Sequence, residues 1–262
     1  MAALEHSTLG RIPSASVGTG EPVLVLIGLA PVTGVEGERM TKASLGPLLS
    51  LTGRRRLVVT NRRADLPRGM TMAHIAAEHA DAARALGAPV DVVGTSTGGS
   101  IAQQLAADHP DVVRRLVLLS TACRLGPEGK ELQRRVAARV RRGATRQAMA
   151  VLAADLVPPG RGQIAAGVLA SLVGPLAVRD RQGIDDMATT IEAEDEFDLA
   201  RRPTITAPTL IVAGGDDRFY GPQLFEETAR LIPGSELLLL EGRGHITALN
   251  DARCREALSR FL

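Results

Sequence analysis

Runs of apolar, often β-branched residues recur along the chain and alternate with segments of helical periodicity. The runs are continuous rather than alternating, which is typical of strands buried on both faces of a sheet. Strands of this kind that alternate with helices predict an α/β fold with a mostly parallel, doubly wound sheet. The predicted strands are residues 23–27, 57–60, 90–94, 112–120, 209–213 and 236–240.

The strand pattern disappears between the fourth and fifth of these strands, and helical patterns replace it. We therefore predict that residues 1–121 and 204–262 form the sheet core, and that residues 122–203 form a helical cap inserted over the strand ends. The predicted cap helices are approximately 127–142, 145–156, 163–172 and 181–195.

Charge is distributed unevenly within this predicted cap. Its first helix is rich in Arg and its last is acidic. The simplest interpretation is that these are solvated faces that pair with each other. A sharper hypothesis is that the Arg-rich helix docks an acidic group, such as a coenzyme A phosphate or a carrier protein.

The segment Gly94-Thr95-Ser96-Thr97-Gly98 fits the pattern G-x-S-x-G where a predicted strand gives way to a predicted helix. A turn this sharp strains the backbone at Ser96 and lifts its hydroxyl clear of the sheet. Side chains two positions to either side would collide with the turn, which explains Gly94 and Gly98. Ser96 is therefore the candidate nucleophile.

A serine hydroxyl is a poor nucleophile unless a base, itself oriented by a carboxylate, lies within hydrogen-bond reach. Asp217 and His245 follow Ser96 along the chain, and all three come at carboxyl ends of predicted strands, where doubly wound sheets bind ligands. Backbone N–H groups of Leu29 and Thr97 are the candidate oxyanion hole. These residues predict nucleophilic acyl transfer.

Together these motifs resemble the α/β-hydrolase family along nearly the whole chain. In that family the acid stands three residues after a strand-end glycine, which implies Asp217, with Asp216 as the alternative. The chain departs from the family at the oxyanion loop, where relatives commonly carry His-Gly and this sequence has Ile27-Gly28. The segments that carry the resemblance are 18–22, 94–99, 207–217 and 242–245.

The resemblance implies a serine hydrolase that cleaves a carboxylic ester, lactone or thioester of a small, largely apolar substrate through an acyl-enzyme on Ser96. The alternatives are a carbon–carbon bond hydrolase, a lyase or a perhydrolase with the same triad, or a non-catalytic small-molecule receptor, because one fold hosts many chemistries. The residues expected to contact the substrate are Leu29, Met187, Phe219 and Ile246, with Leu169 and Leu172 of the cap.

The amino-acid composition indicates which classes of binding partner to expect. The 262 residues carry a net charge of only +2 and include no Trp and one Tyr, so we expect no nucleic-acid binding. Cys123 and Cys254 lie far apart and form no metal-ligand spacing, which favours two reduced thiols and no metal. No secretion signal or membrane-length apolar run is evident. We expect a cytoplasmic protein with a small-molecule substrate and no cofactor.

Overall fold

An eight-stranded sheet forms the centre of the computed structural model, which describes residues 3–32, 34–35, 38–155 and 181–262. The strand order is β1-β2-β4-β3-β5-β6-β7-β8. Strands β3 to β8 are parallel, and β1 and β2 are antiparallel. This confirms the predicted α/β fold. The strands are Glu5–Leu9 (β1), Ile12–Val17 (β2), Glu21–Leu26 (β3), Arg55–Thr60 (β4), Val90–Thr95 (β5), Val113–Leu119 (β6), Thr209–Gly214 (β7) and Glu236–Leu240 (β8).

Helices connect the parallel strands and cover both faces of the sheet. Short 3₁₀ turns at Gly46–Leu51, Pro110–Val112 and Leu199–Arg201 supplement them. The α-helices described are Glu38–Ser44 (α1), Met72–Ala85 (α2), Thr97–Asp108 (α3), Pro127–Arg141 (α4), Thr145–Asp155 (α5), Arg181–Asp195 (α6), Pro222–Leu231 (α7) and Ala252–Phe261 (α8).

Two apolar clusters lie on opposite faces of the sheet, because successive side chains of a strand point to opposite sides. Leu24 and Val92 pack with α2 and α3 on one face. Val25 and Val93 pack with α8 on the other. The central strands are thus buried on both faces, as their continuous apolar sequences indicate, and their register places their carboxyl ends at one edge.

Two antiparallel strands, β1 and β2, precede the first strand that the apolar pattern predicts. Strand β1 is exposed along most of its length, and its sequence contains one large apolar residue, Leu9. It is a strand because it pairs with β2, which in turn pairs with β4 through partners such as Val17 and Leu57. Its conformation thus depends on cross-strand pairing, which hydrophobic periodicity does not detect.

Helices α4, α5 and α6 lie between β6 and β7 in the chain, within the predicted cap. Their apolar sides form a third cluster that includes Val136 and Ile191 and extends to Phe225 of the core. Arg134 pairs with Asp195 at 2.8 Å, and Arg141 of α4 pairs with Glu192 of α6 at 2.8 Å. The Arg-rich and acidic helices therefore pair with each other.

The predicted helix 163–172, together with Leu169 and Leu172, lies outside the described residues. Among the residues that are described, no helix combines the length and the apolar character needed to cross a membrane.

Candidate active site

Ser96 stands between the end of β5 and the start of α3, in a backbone conformation that non-glycine residues rarely adopt. Its φ is 52° and its ψ is −126°. Its N–H donates to the carbonyl of Leu119 on the neighbouring strand at 2.9 Å, which fastens the turn to the sheet. A strained residue held in this way marks a site where the surrounding structure imposes the geometry.

Gly98 permits the close approach that this turn requires. A Cβ atom added there would lie 2.3 Å from the carbonyl oxygen of Leu26, at the end of β3. At Gly94, an added Cβ would lie 2.6 Å from the carbonyl oxygen of Gly98. Both contacts are with backbone, which cannot move aside, so the two glycines allow α3 to start directly against the strand ends.

The three predicted triad residues meet at this edge of the sheet. The Ser96 Oγ lies 3.0 Å from the Nε2 of His245. The Nδ1 of the same ring lies 2.8 Å from the Oδ2 of Asp217. The other oxygen of Asp217 accepts a hydrogen bond from the Phe219 N–H at 2.9 Å. A continuous hydrogen-bonded chain thus runs from a buried carboxylate to a hydroxyl.

His245 is held on several sides. Its backbone carbonyl accepts a hydrogen bond from Ser120 Oγ at 2.8 Å. Phe219 packs against its ring with centroids 4.7 Å apart, and the Tyr220 ring stacks at 6.1 Å. Burial raises the pKa of the Tyr220 phenol well above its usual value, so this neighbour remains neutral. The imidazole therefore has little freedom to leave the line between acid and hydroxyl.

Two adjacent aspartates follow β7, and the structure separates their environments. Asp217 is buried and contacts His245, as the family register implies. Asp216 is exposed, and its backbone N–H donates to the Arg243 carbonyl at 2.9 Å.

The two predicted oxyanion donors both border the pocket that contains Ser96. Within the described part of the chain, the backbone N–H groups of Leu29 and Thr97 donate to no other residue. Thr97 is the first residue of α3, where free N–H groups and the helix dipole favour negative charge. Both N–H groups thus lack a protein acceptor among the described residues.

Sequence reasoning missed Arg62, which holds the loop that carries Leu29. This Arg is 2% exposed. Its Nη2 donates to the carbonyls of Ala30 at 2.6 Å and Val32 at 3.1 Å, and to that of Gly183 in α6 at 2.8 Å. The loop, in which this chain has Ile27-Gly28 rather than His-Gly, is thus held by a buried guanidinium. Nothing in the local pattern around Arg62 distinguishes it from the solvated arginines nearby.

A pocket of about 300 Å³ opens beside Ser96 and His245. His245 is the only titratable side chain among its described lining residues. Leu29, Phe219 and Ile246, three of the residues expected to contact a substrate, line it. Further lining residues are Ala30, Ala43, Ser44, Pro47, Gln133, Leu152, Leu249 and Asn250. The wall is largely apolar.

Met187, the fourth residue expected to contact a substrate, lies outside the described lining of this pocket. It is fully buried among the side chains that join α4 and α6, and it is absent from the described pocket lining. Its position one helical turn before Ile191 places both residues on the same side of α6, which packs against α4. The structure therefore assigns Met187 to packing within the predicted cap rather than to the pocket wall.

Comparisons with known proteins identify the family to which this fold belongs. A model described as the alpha/beta hydrolase family matches residues 40–257. The chain belongs to the α/β hydrolase family. Sequence relatives include a pimeloyl-[acyl-carrier protein] methyl ester esterase from Neisseria meningitidis, which is 31% identical over 195 residues, or 71% of this chain and 73% of that protein.

Solved structures extend the likeness along the whole chain of this α/β hydrolase. The enol-lactonase from Burkholderia xenovorans aligns over 98% of this chain and 99% of that one, with a TM-score of 0.76 and 20% identity. A thermophilic esterase from Thermogutta terrifontis aligns over 99% and 97%, with a TM-score of 0.71 and 25% identity. The family and these relatives confirm the predicted fold and the expectation that this protein is a hydrolytic enzyme.

Proposed function

We propose that this α/β hydrolase cleaves a carboxylic ester, lactone or thioester of a small, largely apolar substrate through an acyl-enzyme on Ser96. The observation that carries the proposal is the chain of hydrogen bonds from Asp217 through His245 to Ser96, which ends at an apolar pocket. The esterase and lactonase names of its relatives support the same chemistry.

Each residue has a distinct role in this mechanism. His245 Nε2 takes the hydroxyl proton while Ser96 Oγ bonds to the carbonyl carbon. The carbonyl oxygen becomes an oxyanion that accepts hydrogen bonds from the N–H groups of Leu29 and Thr97. Asp217 fixes the tautomer with the proton on Nδ1 and stabilises the imidazolium. The tetrahedral adduct then breaks its bond to the leaving oxygen or sulfur, which takes the proton from Nε2. The product leaves as an alcohol or thiol or, for a lactone, stays on the acyl chain as a hydroxyl.

Water completes the cycle by attack on the acyl-enzyme. It transfers a proton to His245 Nε2 and forms a second tetrahedral adduct in the same oxyanion hole. Collapse of this adduct breaks the bond between the acyl carbon and Ser96 Oγ, returns the proton to Ser96 and releases the acid.

The pocket indicates the kind of acyl group. Its described wall offers apolar side chains with a few neutral polar groups, such as Gln133 and Asn250. A carboxylate on the acyl chain would be desolvated there without a described cationic partner. Neutral acyl chains are therefore the proposed substrates, and a volume of about 300 Å³ fits a small one.

Labelling with a fluorophosphonate, with mass-spectrometric mapping of the adduct, tests the nucleophile. We expect fast modification of Ser96 in the wild type and no labelling of Ser96→Ala. His245→Ala should be labelled much more slowly than the wild type, if at all. A folded wild type that neither reacts with the probe nor turns over simple esters would overturn the proposal.

A matched pair of esters tests the pocket. p-Nitrophenyl pentanoate and the mono-p-nitrophenyl ester of glutaric acid have acyl chains of the same length, and only the second ends in a carboxylate. We expect kcat/KM to be at least about tenfold higher for the pentanoate, because burial of an unpaired charge is costly. Equal values would reject a neutral acyl pocket and leave the nucleophile assignment intact.

A further inference from the structure

A buried carboxylate lies next to the turn that carries Ser96 and Thr97. Glu194, in the last turn of α6, has no solvent exposure. Its Oε2 accepts hydrogen bonds from Thr97 Oγ1 at 2.7 Å and from Gln133 Nε2 at 2.9 Å. Its Oε1 accepts one from Ser100 Oγ at 2.7 Å. The carboxylate therefore joins α3, α4 and α6.

Burial of this group is unfavourable unless it is well partnered. Desolvation raises the pKa of Glu194, and the hydrogen bonds from Gln133, Ser100 and Thr97 oppose that rise. The first turn of α3 also favours a nearby negative charge. Donors from two elements converge on both oxygens, and their hydrogen bonds offset part of the cost of burial.

Two of the donors belong to the turn that is proposed to bind the oxyanion. Thr97 follows Ser96 directly and borders the pocket, and its side-chain hydroxyl bonds to Glu194. Ser100 is one helical turn further along the same helix. The hydrogen bonds to Glu194 fix the side chains of both residues, and so restrict rotation of the peptide between Ser96 and Thr97.

The other end of α6 is tied to the second oxyanion segment. The carbonyl of Gly183 accepts a hydrogen bond from Arg62, which also donates to the carbonyl of Ala30, next to Leu29. One helix thus connects through buried polar groups to both backbone segments that carry the candidate donors. Helix α6 thus contacts the segment of Leu29 through Arg62 and the segment of Thr97 through Glu194.

We propose that Glu194 is a positioning residue that holds the Thr97 N–H in place for the oxyanion. Through Glu194, the position of helix α6 affects the geometry of this donor. This inference rests on the proposed acyl-transfer function. Glu194 touches neither substrate nor reacting atoms; it acts through Thr97.

Steady-state kinetics with a neutral p-nitrophenyl ester, together with inhibition by a trifluoromethyl ketone, test this role. The ketone forms a tetrahedral adduct with the serine, and its oxyanion occupies the hole. For Glu194→Ala we expect kcat to fall about 10- to 100-fold with KM changed less than about threefold, since displaced oxyanion donors weaken transition-state binding. Affinity for the ketone should fall by a similar factor.

Two substitutions and one control complete the experiment. Glu194→Gln keeps the shape and can still accept hydrogen bonds, so it should recover most of the lost kcat. Thr97→Val keeps the backbone N–H but removes the hydroxyl, so it should lower kcat, and its effect should not add fully to that of Glu194→Ala. Glu192→Ala, on the same helix but exposed and paired with Arg141, should leave kcat unchanged.

Several outcomes would overturn the inference. If Glu194→Ala lowers the melting temperature but keeps kcat and ketone affinity within twofold, Glu194 serves stability alone. If Glu194→Ala does not fold, Thr97→Val decides, and an unchanged kcat in that variant rejects the coupling. Wild-type labelling separates the two proposals. An unlabelled wild-type Ser96 removes the acyl-transfer function and this inference together, whereas equal labelling of wild type, Glu194→Ala and Thr97→Val removes only this inference.

Discussion

The two edges of the sheet each bury an aspartate beside a basic side chain, yet only one edge has the features of an active site. At the amino edge, Asp91 is fully buried and lies 2.8 Å from Arg114 and 3.4 Å from Arg55. At the carboxyl edge, Asp217 is equally enclosed and lies 2.8 Å from His245. Distance and burial alone do not distinguish these pairs.

The basic partner distinguishes them. Arginine keeps its proton throughout the ordinary pH range, and the hydrogen bond with Asp91 raises the pKa of Arg114 further. Histidine can gain and lose a proton near neutrality, and the second nitrogen of His245 contacts a strained serine that borders a pocket. A buried ion pair thus indicates function only when its basic partner can transfer a proton to a group that substrate can reach.

Loss of either reacting group at the carboxyl edge is expected to have the largest effect. Ser96→Ala and His245→Ala should each lower turnover of a reactive ester on the order of a million-fold, by analogy with other triads. The melting temperature should change little, because neither substitution removes a large apolar side chain. Ester turnover and thermal unfolding measured on the same samples test this. Residual turnover within tenfold of wild type would contradict it.

The same substitution at the two buried aspartates should affect different properties. Asp217→Asn is expected to lower kcat about 10⁴-fold, because the wrong histidine tautomer becomes favoured. Asp91→Asn should keep kcat within about twofold but destabilise the fold by about 3 kcal/mol, since Arg55 and Arg114 lose their buried counter-charge. That is roughly 6 to 12 °C in melting temperature. If Asp91→Asn abolished activity without loss of stability, the distinction between the edges would fail.

A pair of glycines extends the comparison to the backbone. Gly98→Ala at the carboxyl edge should destabilise the protein by about 1 to 3 kcal/mol or more and lower kcat, because the new Cβ would meet the Leu26 carbonyl. Gly53→Ala, just before β4 at the amino edge, should change stability by less than about 0.5 kcal/mol, since nothing lies within 4 Å of the added atom. Chemical denaturation measures both; equal effects would contradict the steric explanation.

The smallest expected effect is an opposite pH dependence of two glutamates. Burial raises the pKa of Glu194 in the folded state, so its contribution to stability is lost as pH rises from the unfolded value through the folded one. The hydrogen bond from Arg114 lowers the pKa of exposed Glu21, so its contribution is present above the unfolded value and is lost as pH falls.

Melting curves between pH 4 and 9 measure this difference. The melting temperature of Glu194→Gln relative to wild type should rise with pH, whereas that of Glu21→Gln should fall with pH. Parallel trends in the two variants would show that at least one carboxylate has been placed in the wrong electrostatic environment.

The sequence by itself determined the parallel strands and the position of the nucleophile. Continuous apolar runs mark the central strands because burial on both faces disfavours polar residues, which must find a partner there. The turn at Ser96 is equally local, since strained backbone and close helix packing require Gly94 and Gly98 within a few residues. The order of Ser96, Asp217 and His245, with the family register, was sufficient to name the residues that the structure brings into one hydrogen-bonded chain.

Only the tertiary structure decided which polar and apolar residues of similar local pattern are buried, and against what. Glu192 and Glu194 stand two residues apart in one acidic segment, yet one is exposed and the other is fully enclosed by donors from α3 and α4. Met187 has the apolar character of a pocket residue but packs within the helices, whereas Asn250 borders the pocket. Hydrophobic periodicity indicates which side of a helix or strand is buried. The residues that pack against that side come from distant segments of the chain, and only the folded structure shows which residues these are.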